Sequence, residues 1–268
     1  MTPRTIKADD ACYPRHLREQ MGADVPVQLS ALGNVDLLSL PSIALFCSSR
    51  CPGHAILATY DQAAHWRDAG QCVISGFHSP VEKECLRILL RGKSPVIICP
   101  ARGMLRNIPA DPVDCRAAFD DGRLLLVSPF PDNVRRVTAE TATIRNRFVA
   151  ALAATVAVAH AAPGSKIESL SLELLAAGKP LYTFDHPANS ALIQAGAKTS
   201  TPITFAEPAK SMWCSGRVTT GYPGLFIAES VAYGSHNETG NTGTDPHGES
   251  GDGDEGRRSR CRGGSSSA

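Results

Sequence analysis

The chain has 268 residues, of which 43% are apolar, 20% charged and 6% aromatic. That apolar share is enough for a sizeable core, which excludes a wholly disordered or collagen-like chain. With 27 Lys and Arg against 26 Asp and Glu, the net charge of +1 neither demands nor excludes an anionic partner.

Residues 1–40 read as an irregular lead-in. The first ten are polar, without the apolar stretch of a secretory signal, and the nine cysteines are odd in number, so a reducing, cytoplasmic setting is expected. Residues 41–200 alternate strand and helix patterns. Six short apolar runs stand out: Ile43–Phe46, Cys72–Ile74, Val96–Cys99, Leu124–Val127, Val156–Ala159 and Leu181–Phe184. Each is apolar at consecutive positions, as expected of strands covered on both faces. Between them helices are predicted over Ala55–Asp68, from the capping box Ser79-Pro80-Val81-Glu82 to Gly92, over Thr138–Ala154 with Ile144, Phe148, Ala151 and Leu152 on one face, and over Ile167–Ala177. This alternation predicts an α/β, Rossmann-like three-layer fold: a mostly parallel sheet of about six strands with helices on both faces. The run Phe148 to Ala162 falls short of the roughly 20 residues of a spanning helix and is broken by His160, so no membrane segment is expected. Residues 201–234 show no assignable pattern. Residues 235–268, rich in Gly, Ser, Asp and Glu, read as a disordered tail. The tail holds six acids and four arginines, so the body carries 23 basic and 20 acidic residues, a charge of +3.

Parallel sheets bind ligands outside the carboxyl ends of their strands, where loops meet helix N-termini. Four loops lie there. Ser48-Ser49-Arg50-Cys51-Pro52-Gly53 offers hydroxyls, a guanidinium and free amides suited to a phosphate, or forms a simple polar turn. It lacks the Gly-x-Gly-x-x-Gly and Gly-Lys-Ser/Thr fingerprints, and no nucleotide cofactor is expected. Ser75-Gly76-Phe77-His78-Ser79 follows the second run, with Phe77 as the one aromatic in these loops and His78 as an exposed loop residue. Pro100 to Arg106 contributes Arg102. Ala162 to Lys166 contributes Gly164, Ser165 and Lys166, an amide-and-lysine cradle for an anion. Arg145-Asn146-Arg147 adds charge from the helix before the fifth run, and two arginines two apart point to different sides. Cys47 and Cys51 have no second Cys/His pair at zinc spacing, so they read as two loop thiols and no metal is expected.

The order of these segments resembles the DprA/Smf family of DNA-processing proteins. Tyr13-Pro14-Arg15-His16-Leu17, Val25 to Leu29 and Leu32-Gly33 resemble the family's lead-in. Ser48-Ser49-Arg50 resembles its Gly-Ser-Arg loop, Ser75-Gly76 the start of its Ser-Gly-x-Ala-x-Gly-Ile-Asp loop, and Arg145 to Leu152 its Arg-Asn-Arg-Ile-Ile-Ala-Gly-Leu segment. Gly164-Ser165 is similar to its Ser-Gly-Ser turn, and Asn189 to Ala197 to its Asn-x-Leu-Ile-x-x-Gly-Ala ending. Phe77 to Glu82 departs from the Ala-x-Gly-Ile-Asp continuation, and His160 stands where the family carries an acid.

The resemblance implies a homodimer that binds single-stranded DNA at the sheet edge and delivers it to a RecA-type recombinase during DNA uptake or recombination. This is binding without a catalytic constellation. The implied contacts are Ser48, Ser49, Arg50, Ser75, Gly76, Arg102, Arg145, Asn146, Arg147, Gly164, Ser165 and Lys166. Two alternatives stand beside it: a nucleotide sensor or hydrolase on the same sheet, with Glu168 as the nearest acid, and a structural paralogue whose site has decayed.

Overall fold

The computed structural model describes residues 2–104, 114–200 and 202–203. The expectations for residues 204–234 and for the 235–268 tail lie outside the described residues. All six apolar runs form parallel strands: β3 (Ser42–Cys47), β4 (Cys72–Ser75), β5 (Val96–Ile98), β6 (Leu124–Ser128), β7 (Thr155–His160) and β8 (Leu181–Thr183). The sheet is larger than the expected six, with nine strands among the described residues. The lead-in is ordered rather than irregular: β1 (Arg4–Lys7) pairs antiparallel with β2 (Gln28–Gly33), which pairs antiparallel with β6. Helix α1 (His16–Met21) lies between them, and β9 (Lys198–Thr199) closes the other edge. These strands escape pattern reading for a physical reason. An edge strand such as β1 buries one residue in four, Ile6, and so carries no apolar run.

The predicted helices appear as α2 (Gly53–Asp68), α3 (Pro80–Leu90), α5 (Ala139–Leu152) and α6 (Lys166–Ala176), joined by α4 (Asp114–Asp120) and α7 (Ser190–Gln194). Helices α2 and α6 are each followed by a glycine in the left-handed region, Gly70 at φ +66° and Gly178 at φ +75°, where a side chain would be strained.

Successive strand residues feed two different cores, which is why the runs are apolar without alternation. Ala44 and Phe46 pack with Phe148, Val149, Leu170 and Leu17, while Ile43, Leu45 and Cys47 pack with Trp66, Val81 and Leu89. On α5 the buried stripe is Arg145, Phe148, Val149 and Leu152, at i, i+3, i+4 and i+7. Ile144, expected on that stripe, falls one position off it and is 41% exposed.

The strand order is β1-β2-β6-β5-β4-β3-β7-β8-β9. From β3 the chain steps outward through β4 and β5 to β6, then returns to the other side of β3 as β7. The direction of winding therefore reverses between β3 and β7, and the crevice outside their carboxyl ends is the switch point where such sheets bind ligands. The register shifts there: Phe46 pairs with Val158 but Cys47 with His160. Beyond β9 the chain returns to α2. The Ile203 carbonyl accepts from Trp66 Nε1 at 2.7 Å and Gln62 Nε2 at 3.0 Å, and its N–H donates to Gln62 Oε1 at 2.7 Å.

Candidate functional site

Ser48 is the knot of the switch crevice. It is buried, its N–H donates to the His160 carbonyl at 2.9 Å, and its hydroxyl donates to Ser165 Oγ at 3.2 Å and accepts from the Ala162 N–H at 3.0 Å. The loops after β3 and β7 are thus tied across the point where the winding reverses. Ser49 and Arg50 follow immediately and are exposed.

The helices that open on this edge are not equivalent. The first N–H groups of any helix lack intrahelical partners and present a partial positive charge. At α3 these demands are met by the Ser79–Glu82 capping box, and at α6 by Ser165, which accepts from the Glu168 N–H at 3.2 Å. Both helices carry an acid in the first turn. Helix α2 starts at Pro52 with no side-chain cap and no acid in its first turn. It is the one of the three whose N-terminus is left open to an outside anion, and Ser49 and Arg50 lead directly into it.

A buried carboxylate organises the neighbouring loops. Glu82 accepts from the Cys47 N–H at 2.9 Å with one oxygen, and from the His78 and Ser79 N–H groups at 2.8 and 3.2 Å with the other. Burial raises its carboxyl above the usual range, opposed by the His78 N–H, the Arg145 guanidinium and the Cys47 and Ser79 N–H groups. Arg145 reaches over from α5. Its Nη1 donates to the Cys99 carbonyl at 3.1 Å and its Nε to Asn146 Oδ1 at 2.8 Å. A Cβ on Gly76 would fall on this guanidinium, so glycine is needed for the close approach. Arg145, Gly76, His78 and Arg102 border a cavity of about 200 Å³ between the loops after β4 and β5.

The twelve sequence candidates therefore divide. Ser49 and Arg50 are exposed at the open end of α2, and Arg102 is half-buried on the rim of the cavity with its carbonyl accepting from Ser128 Oγ at 2.6 Å. Ser48, Ser75 and Gly76 serve inside the loops: the Ser75 hydroxyl donates to the Leu45 carbonyl at 2.8 Å and accepts from the Phe77 N–H at 3.1 Å. The Gly164 N–H is taken by Glu168 Oε2 at 2.7 Å, which fills the cradle expected at Ala162 to Lys166 with the chain's own carboxylate. Asn146, Arg147 and Lys166 line a separate groove of about 180 Å³ between α5 and α6. There Arg147 pairs with Glu173 at 2.8 Å, and Lys166 donates to the Ala139 carbonyl at 2.9 Å. Phe77 gives no stacking face, because it is turned inward, 5% exposed, with a left-handed φ of +46°.

Other residues at this edge were not singled out as site residues. Glu82 showed in the sequence only as a capping residue. His54, at the start of α2, stacks on His186 from the loop after β8, with ring centroids 3.3 Å apart and planes 26° from parallel. Asn189 joins its amide to the Ala159 and Phe184 carbonyls, at 3.2 and 3.3 Å, and its oxygen meets the buried His160 ring at 3.2 Å. Among the described residues no cluster of His, Cys, Asp and Glu is arranged to hold a metal, and no helix is long and apolar enough to cross a membrane.

Two solved structures share this architecture. DNA processing protein A from Streptococcus pneumoniae is 20% identical with a TM-score of 0.62, covering 74% of this chain and 71% of that one. DNA processing protein A from Helicobacter pylori, whose structure describes a single-stranded DNA binding mode, is 17% identical with a TM-score of 0.58, covering 74% and 90%. No curated protein matches the chain. The profile of the family described as DNA recombination-mediator protein A matches residues 4–204, from the first strand to just past the Ile203 clamp, and the chain belongs to that family.

Proposed function

We propose that the chain binds single-stranded DNA along the strand-end edge and, as a homodimer in the cytoplasm, delivers it to a RecA-type recombinase. The observation that carries the binding reading is the open N-terminus of α2 at the switch crevice, preceded by exposed Ser49 and Arg50. A phosphate there receives amide N–H groups, a hydroxyl and a guanidinium from one short segment. Arg102 and the cavity beside Arg145 continue the path of the strand, and the α5–α6 groove with Arg147 and Lys166 is its outer margin. The single-stranded DNA binding mode described for the Helicobacter pylori relative supports the same reading.

The test is fluorescence anisotropy of labelled oligonucleotides of increasing length at two salt concentrations. With three phosphate contacts, at a slope of about 0.7 per contact for single strands, affinity falls about 20-fold between about 50 and 200 mM salt. Arg50→Ala should weaken binding and flatten that slope. A folded chain that fails to bind at low salt, or that binds a mononucleotide as tightly as a long strand, would overturn the reading.

A further inference from the structure

A single strand needs ring surfaces on which its bases stack as well as donors for its phosphates. Phe77 is turned inward, so bases at this edge must find a ring elsewhere. His54 supplies one. It lies in the first turn of α2, just past Ser49 and Arg50, and is exposed. One face of its imidazole is covered by the His186 ring, with centroids 3.3 Å apart and planes 26° from parallel. The exposed area of His54 therefore falls on the opposite face and the ring edge. Leu57, one turn further along the same side of α2, is 66% exposed and extends this surface with an apolar side chain.

The backing ring is fixed by its own loop. His186 Nδ1 accepts from the Ala188 N–H at 3.0 Å, and the His186 carbonyl accepts from the Asn189 N–H at 2.9 Å. Asn189 is buried and anchors the same loop to the Ala159 and Phe184 carbonyls. With Nδ1 held as an acceptor, the His186 ring carries its proton on Nε2 and is uncharged. The free face of His54 is thus a flat π surface braced from behind, ordered before any ligand arrives. We propose that His54 is the stacking platform for a nucleobase of the bound strand, with His186 as the positioning residue that holds it. A phosphate seated at Ser49, Arg50 and the first α2 amides brings its nucleoside alongside the ring, with Leu57 next to it. This placement rests on the phosphate reading above, whereas the ring pair does not. Every base has a π face, so the platform adds affinity with little sequence preference.

Stacking and phosphate contact leave different signatures. In the full chain, His54→Ala should weaken binding of a labelled thymidine oligonucleotide at least about 5-fold by anisotropy, without changing the salt slope. Arg50→Ala, by contrast, flattens that slope. His54→Phe keeps a ring and discards the imidazole nitrogens, and should restore most of the loss. His186→Asn keeps an acceptor for the Ala188 N–H but removes the backing ring, and should weaken binding less than His54→Ala does. The base is then removed from the strand instead of the ring from the protein. Oligonucleotides with one abasic position, moved along the strand, keep every phosphate. One position should cost the wild type the same factor as His54→Ala, and cost His54→Ala nothing further. Unchanged affinity in His54→Ala, a loss there that flattens the salt slope, or abasic losses identical in both proteins would overturn the platform and leave the phosphate reading standing. A lower thermal midpoint with wild-type affinity would reduce the pair to a tie between α2 and the loop after β8, and overturn it too. A folded wild type that binds no oligonucleotide at low salt would overturn the phosphate reading, and the platform with it.

Discussion

Arg145 and Arg147 lie two residues apart on one helix, yet belong to two different kinds of surface. Arg145 is 5% exposed, donates to a main-chain carbonyl and lies across Gly76, inside a lattice that also holds Glu82 and the loops after β3 and β4. Arg147 stands in the α5–α6 groove, where it and Glu173 are each about half exposed. The crevice side is built from short chain segments fixed by buried hydrogen bonds, and the groove side from long side chains meeting in water. A positive charge in the first region is pre-aimed, while one in the second is already half-neutralised and free to exchange partners.

The contrast can be tested from its rigid end outward. Glu82→Ala unpairs three N–H groups; at about 1–3 kcal/mol each for buried donors, the thermal midpoint should fall by roughly 10 °C or more, read by calorimetry. The same carboxyl gives a pH signature. Because its folded value is raised, its contribution is fully present below the ordinary Glu range and declines as pH rises through the raised value. The midpoint of the wild type relative to Glu82→Gln should therefore decrease between about pH 4 and pH 8, and a flat difference would break the assignment. Gly76→Ala should displace the Arg145 guanidinium at a cost of about 1–3 kcal/mol, and reduce oligonucleotide affinity more than its stability loss accounts for. Ser48→Ala removes the tie between the loops after β3 and β7, with an expected cost of about 1–2 kcal/mol and a clear loss of affinity by anisotropy. At the soft end, Arg147→Ala should shift stability by less than about 1 kcal/mol and leave the salt dependence of binding nearly unchanged. An Arg147 effect as large as that of Gly76 would erase the distinction between the two surfaces.

What could be read ahead of the structure follows the same division. The six parallel strands were legible because each is covered on both faces, so burial writes itself as consecutive apolar residues. Strand β1 was illegible because only Ile6 among its four residues is buried. The open start of α2 was visible in Pro52-Gly53, but its distinction lies in what fills the other helix ends, such as Glu168 on the Gly164 N–H. The reach of Glu82 to Cys47 joins positions 35 apart, beyond any local pattern. Spacing showed that Arg145 and Arg147 diverge without saying which is buried. That choice is made by the neighbouring loop, where the missing side chain of Gly76 leaves room for one guanidinium.

The clamp on Ile203 has a mechanical consequence. Gln62 and Trp66 grip its main chain through three hydrogen bonds, and both sit on α2. Any pull on the chain beyond this point is delivered to α2 rather than to the short edge strand β9, and α2 is the helix whose opposite end faces the switch crevice. The attachment makes α2 a lever with a tether near one end and the proposed anion seat at the other. A chain shortened before Ile203 would release that lever and strand the Trp66 N–H in the core.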